Sequence, residues 1–108
     1  MVEFLKIGHR GAKGHLAENT IESMHQALSL GANGLEFDVH ACLSGELVVI
    51  HDFTLDRTTN GTGEVALQSW GEIKLLKVEE KFKIPTLKRV LKIFGQKCFI
   101  NIELKGLN

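Results

Sequence analysis

Residues 34–52 read GLEFDVHACLSGELVVIHD, and this stretch decides the fold. Within 34–41 the apolar residues Leu35, Phe37 and Val39 alternate with Glu36, Asp38 and His40, the period of two that marks an extended strand. Residues 46–52 form a second extended segment, and only residues 42–45 lie between the two. A parallel crossover needs roughly a dozen residues or more, so the two segments must pair as an antiparallel hairpin.

Upstream, residues 4–9 (FLKIGH) read as a short buried strand ending in a glycine-rich turn from Gly8 to Gly14. A helix follows from Asn19 to about Leu30, with Ile21, Met24 and Leu28 at spacings of three and four. Asn19 and Glu22 have the spacing of a capping box, and Gly31 suits the stop. Downstream, residues 53–84 look irregular and carry the polar run DRTTNGTG at 56–63, with a short helix capped by Ser69 and Glu72. Thr86 caps a further helix that puts Leu87, Val90, Leu91 and Phe94 on one face and stops at Gly95. Residues 98–105 (CFINIELK) make the last strand. The order strand, helix, strand, insertion, helix, strand predicts an α/β fold with a parallel sheet.

A length of 108 residues allows one domain, and 44% hydrophobic content supports a buried core. Thirteen basic residues balance thirteen acidic ones, which argues against nucleic-acid binding by phosphate neutralisation and against a polybasic membrane binder. No apolar run approaches the roughly 18 residues of a transmembrane segment. Glu3 and Lys6 interrupt the N-terminal stretch, so no targeting peptide is expected and the location is expected to be cytoplasmic. Cys42 and Cys98 form neither a metal motif nor a disulfide framework, and read as buried small hydrophobes in a reducing compartment.

Polar pairs cluster at strand ends, where parallel α/β folds bind ligands. His9 and Arg10 end the first strand, Glu36 and Asp38 lie in the second, His51 and Asp52 end the hairpin arm, and Glu103 and Lys105 end the last strand. Glu36 and Asp38 share one strand face, as do Glu103 and Lys105. Parallel strands normally read as continuous apolar runs, and adjacent carboxylates repel. A hard divalent cation resolves the conflict; a solvated face or an ion pair with Lys105 is the alternative. His9 and His51 are placed as general acid–base residues often are, because imidazole takes and gives a proton near neutrality. His15, His25 and His40 read as packing or capping residues. Arg10, beside Gly11, could grip a phosphate bidentately or form a surface ion pair. Glu18 reads more simply as favourable charge near a helix N-terminus.

Together these motifs resemble the glycerophosphodiester phosphodiesterase family: HRG at 9–11, ENT at 18–20, ExDV at 36–39, HD at 51–52, DRTTNGTG at 56–63, PTL at 85–87 and ExK at 103–105. The departures are Ala17, where the family usually has proline, and Ser44-Gly45, where Asp-Gly is commoner. The resemblance implies the N-terminal part of a TIM (β/α)8 barrel, a domain that runs to about 250 residues when whole. Residues 1–108 would form that part, with a hairpin-containing insertion, at about 42–84, between strand 2 and helix 2. It implies metal ligation by Glu36, Asp38 and Glu103, acid–base roles for His9 and His51, and phosphate contacts from Arg10 and Lys105. The expected cofactor is a divalent cation, Mg²⁺ or Ca²⁺, with Mn²⁺ a further candidate. The expected reaction is hydrolysis of a small-molecule glycerophosphodiester to sn-glycerol 3-phosphate and an alcohol. The rival readings are a related barrel phospholipase, and an inactive fragment that binds anions or self-associates. Self-association, or low stability, is expected of an open three-stranded sheet.

Overall fold

The computed structural model describes residues 6–11 and 16–105. Phe4 and Leu5 of the first predicted strand, the turn at 12–15 and His15 lie outside them. The strands are β1 (Ile7–His9), β2 (Gly34–Ala41), β3 (Leu47–Val49), β4 (Lys77–Val78), β5 (Phe82–Lys83) and β6 (Phe99–Lys105). The helices are α1 (Ile21–Ser29), α2 (Trp70–Ile73) and α3 (Leu87–Phe94).

β2 is the centre of the sheet. β6 pairs with it in parallel along Gly34–His40 and so fills one edge. The other edge is shared: β1 pairs in parallel with Gly34–Glu36, and β3 pairs antiparallel with Val39–Ala41. The antiparallel arm required by the four-residue link is therefore present.

The alternation in β2 sorts its side chains as expected. Leu35, Phe37 and Val39 are buried with Met24 and Ala27 of α1, Val90 and Phe94 of α3, and Val49 of β3. A second core lies under the segment between β2 and α3, where Val48, Ile50, Leu55, Val65, Ile73, Val78 and Ile84 pack together. β3 serves both cores, because Val48 and Val49 point to opposite faces. Truncating Phe94, which has no exposed surface, should cost about 3–5 kcal/mol.

Thr20, not Asn19, caps α1. The Thr20 hydroxyl accepts from the Ser23 N–H at 3.1 Å, and Ser23 completes the capping box in place of Glu22. The Asn19 side chain is committed elsewhere, donating from Nδ2 to Oδ2 of Asp38 at 3.3 Å. Gly31, at φ +102°, ends the helix as expected. Ser69 and Thr86 cap α2 and α3 as predicted, each accepting from the backbone N–H three residues on. The stretch read as irregular also holds a 3₁₀ turn at Val65–Leu67 and the β4–β5 hairpin. That hairpin escapes sequence reading because each strand is two residues long. Its turn is made by Glu79 and Glu80, both at positive φ, where glycine or asparagine would signal it.

Cys42 is buried and Cys98 partly buried, and both thiols are free. Burial raises the Cys98 thiol above its ordinary range. Among the described residues no helix is long and apolar enough to cross a membrane.

Candidate active site

Two backbone hydrogen bonds locate the site. The Arg10 N–H, just past β1, donates to the Glu36 carbonyl at 2.7 Å, and the Ile50 N–H, just past β3, donates to the Asp38 carbonyl at 3.0 Å. β1 runs with β2 and β3 runs against it, so the two chain segments reach one edge of β2 from opposite directions. His9 and His51 thereby arrive at the same short span of β2.

The register of β6 brings in the third carboxylate, since Asp38 and Glu103 are direct partners across the parallel pair. One carboxylate oxygen from each of Glu36, Asp38 and Glu103 lies within 4.8 Å of the others. Asp38 is 1% exposed. Its Oδ2 accepts from Asn19 and faces the Arg10 Nε at 3.6 Å. Glu36 turns Oε2 toward the His9 Nε2 at 3.6 Å, while its buried Oε1 has no hydrogen-bond partner. Lys105 pairs with Glu103 at 3.3 Å, so the ion-pair alternative applies to Glu103 but accounts for neither of the less exposed carboxylates. An all-oxygen cluster with an orphaned, buried carboxylate oxygen fits a hard divalent cation such as Mg²⁺, Ca²⁺ or Mn²⁺.

Arg10 sits at φ +52° and Gly11 at φ +76°, two consecutive left-handed residues. A Cβ at Gly11 would stand 2.9 Å from the Ser23 carbonyl carbon, so the turn is built for glycine. The strained conformation at Arg10 aims the guanidinium inward, where Nη1 meets Oε2 of Glu18 at 3.3 Å. The Arg10 side chain is 14% exposed, so this is an ion pair, though not a surface one.

His51 is held at both ends. Its Nδ1 lies 2.8 Å from Oδ1 of Asp52, and its carbonyl oxygen lies 2.8 Å from Nε2 of His40, which can donate to it. His40 is buried, consistent with a packing or capping residue, and its ring packs directly behind the His51 backbone. His25 is exposed and meets Phe94 edge-on at 4.8 Å, the boundary packing expected of it. Arg57 joins Asp52 to Glu18 through hydrogen bonds of 2.8–3.0 Å. The hydrogen bond from Arg57 holds the Asp52 carboxyl well below the usual carboxylate range; burial opposes this shift and His51 adds to it. The same bonds to Asp52 and Glu18 raise the Arg57 guanidinium further above its ordinary value. His51, Asp52 and Lys105 line one cleft of about 680 Å³, with Phe53 and His40 in its wall.

Sequence reading singles out Glu36, Asp38, Glu103, His9, His51, Arg10 and Lys105; the structure adds Asn19 and Arg57 and joins Glu18 and Asp52 to them. Glu18 and Asn19 stand in the ENT triplet, Asp52 beside His51, and Arg57 in the polar run, so each is visible as part of a motif, but the partners it meets here lie in other parts of the chain or in an irregular loop that no local pattern reads.

Residues 9–108 match the profile of the Glycerophosphoryl diester phosphodiesterase family. A glycerophosphodiester phosphodiesterase from Caldanaerobacter subterraneus is 49% identical over 94% of this chain, which corresponds to 45% of that protein. The solved structure of the Agrobacterium tumefaciens glycerophosphodiester phosphodiesterase superposes with a TM-score of 0.89 at 38% identity, covering 94% of this chain and 47% of that one. An Oleispira antarctica phosphodiesterase, solved in complex with the product sn-glycerol-3-phosphate, gives 0.87 at 34% identity over 94% of this chain and 44% of its own. The chain thus spans a little under half the length of these relatives. It belongs to the glycerophosphoryl diester phosphodiesterase family, and its parallel strands β1, β2 and β6 are part of a TIM barrel.

Proposed function

We propose that this chain carries the catalytic residues for metal-dependent hydrolysis of glycerophosphodiesters to sn-glycerol 3-phosphate and an alcohol, within glycerol and lipid metabolism. The observation that carries this reading is the carboxylate cluster of Glu36, Asp38 and Glu103, flanked by His9 and by the inward-turned Arg10. The three carboxylates would hold Mg²⁺, Ca²⁺ or Mn²⁺, which when bound neutralises charge on the phosphoryl oxygens. Arg10 and Lys105 contact the phosphate. One of His9 and His51 takes the proton from the attacking hydroxyl, and the other protonates the departing alkoxide; where the attacking hydroxyl is the substrate's own rather than that of water, the cyclic phosphate it forms is opened by water in a second step. Relatives whose names carry this activity support the reading.

The segment at about 42–84, between the second barrel strand and the following helix, acts as an insertion with its own core at the mouth of the site. Two free thiols support a reducing, cytoplasmic location. The exposed apolar residues Ile7, Phe99 and Leu104 on β1 and β6 support self-association of the isolated chain, which sedimentation would register as a mass above 12.0 kDa. A well-folded monomer with a cooperative melt would contradict that expectation.

The test of activity uses a chimaera in which this chain replaces the corresponding half of the Caldanaerobacter relative. Incubated with glycerophosphocholine and Mg²⁺ or Ca²⁺, it should release sn-glycerol 3-phosphate, followed by phosphorus NMR, and chelation should stop the reaction. A folded chimaera that releases none, or is indifferent to chelation, contradicts the proposal.

A further inference from the structure

Arg57 is half exposed, yet its guanidinium makes four hydrogen bonds to two carboxylates. Its Nε and Nη2 meet the two oxygens of Asp52 at 2.8 and 3.0 Å, and its Nη1 and Nη2 meet the two oxygens of Glu18 at 3.0 Å each. The three residues come from two loops, with Asp52 and Arg57 five positions apart in one of them. Glu18 precedes α1, while Asp52 and Arg57, the second residue of the polar run, share the segment between β3 and the 3₁₀ turn. Each carboxylate also touches a residue assigned to the chemistry: Glu18 meets Arg10 at 3.3 Å, and Asp52 meets Nδ1 of His51 at 2.8 Å.

We propose that Arg57 is a positioning residue: by bridging Glu18 and Asp52 it clamps the Asp52 carboxylate onto Nδ1 of His51 and leaves Nε2 as the only atom of that ring that exchanges a proton. An ionised carboxylate only accepts hydrogen bonds, so the ring nitrogen facing it must carry the hydrogen whether His51 is neutral or charged. The hydrogen bond from Arg57 favours the ionised form of Asp52 and fixes the plane of its carboxylate, which a planar, two-pronged donor does better than a point charge. His40, bonded to the His51 carbonyl, anchors the other end, so the ring has little freedom left. Through Glu18 the same guanidinium steadies Arg10, tying the phosphate contact to the proton-transfer group.

This inference rests on the reading of His51 as one of the acid–base pair, and the experiment separates the two. This chain is labelled with ¹⁵N-histidine, and the ring correlations of His51 are recorded at about pH 8, above the ordinary histidine range. The wild-type ring should show its hydrogen on Nδ1. Arg57→Gln should lose that preference, Arg57→Lys should keep part of it, and His25 should be unchanged in both. Asp52→Asn, which leaves the Arg57–Glu18 pair in place, should lose it as well; if Arg57→Gln fails to fold, Arg57→Lys decides the matter, because an undiminished preference there contradicts the need for a planar, two-pronged donor. In the full-length chimaera Arg57→Gln should lower kcat by about 10-fold to 100-fold, the range for partners that orient a histidine, with KM nearly constant. A folded Arg57→Gln chain with an unchanged His51 tautomer overturns the role of Arg57. Full activity in His51→Ala overturns the acid–base reading instead, whatever the tautomer shows.

Discussion

Asp38 of β2 and Glu103 of β6 are register partners on adjacent parallel strands, so two carboxylates far apart in sequence stand side by side on one face of the sheet. Glu36, two residues before Asp38, adds the third on that face. Nothing on β1 or β3 has to move to bring them together; pairing alone does it. The cost is like-charge repulsion, relieved in part by Arg10 and Lys105.

That arrangement predicts a reversal of sign. In metal-free buffer Glu36→Gln should hold or raise the melting temperature, because it removes one of three mutually repelling charges. With Mn²⁺ added, the wild-type chain should gain stability, about 2.7 kcal/mol at a hundred times its dissociation constant, and the variant should gain much less. Thermal melts with and without Mn²⁺ measure both effects. Equal metal-induced stabilisation of the two proteins would contradict the assignment of Glu36 as a ligand.

The acid limb of stability should depend on Arg57. A carboxyl whose folded-state value is depressed contributes stability that is fully present above its unfolded value, near 4, and is lost as pH falls through the folded value. Asp52 is depressed first by the hydrogen bond from Arg57, with burial opposing and His51 assisting. The Asp52–Arg57 link should therefore persist through mild acid in the wild type. Arg57→Gln should bring the Asp52 transition back toward the ordinary carboxylate range, so that the loss begins at higher pH. An NMR titration of the Asp52 carboxyl carbon reads this directly; an unmoved midpoint contradicts it.

His40 should matter more than a packing residue of its exposure would suggest. His40→Ala removes the group 2.8 Å from the His51 carbonyl and leaves a partly buried acceptor unpaired, at a cost of about 1–3 kcal/mol. It should also lower kcat, since the backbone that carries His51 is released. His25→Ala, which loses only an edge-on contact with Phe94, should leave kcat unchanged. Urea melts and turnover of the two variants in the chimaera distinguish them, and equal turnover would contradict the role given to His40.

The parts of this fold that were legible in sequence follow from local period and link length. Alternation in residues 34–41 told which residues face the core, and four residues between two strands left only an antiparallel pairing. The shared face of Glu36 and Asp38 followed from the same period. The remainder depends on contacts that no local pattern encodes. Asn19 stands at φ +58°, outside the extended conformation of an N-cap, and its side chain donates to Asp38, nineteen positions away, while Thr20 caps α1. Arg57 gains its meaning only when the polar run folds back over Glu18, thirty-nine positions earlier in the chain. The β4–β5 hairpin turns on two glutamates at positive φ, a conformation their side chains do not advertise.

The most direct measurement of the central claim is the turnover of glycerophosphocholine by the chimaera bearing His9→Ala, His51→Ala or His25→Ala. A proton-transfer pair at a carboxylate-held cation predicts that the first two lose about 100-fold to 10,000-fold in kcat, while Mn²⁺ affinity stays near wild type and His25→Ala stays fully active. Turnover in His9→Ala or His51→Ala equal to that in His25→Ala would contradict it.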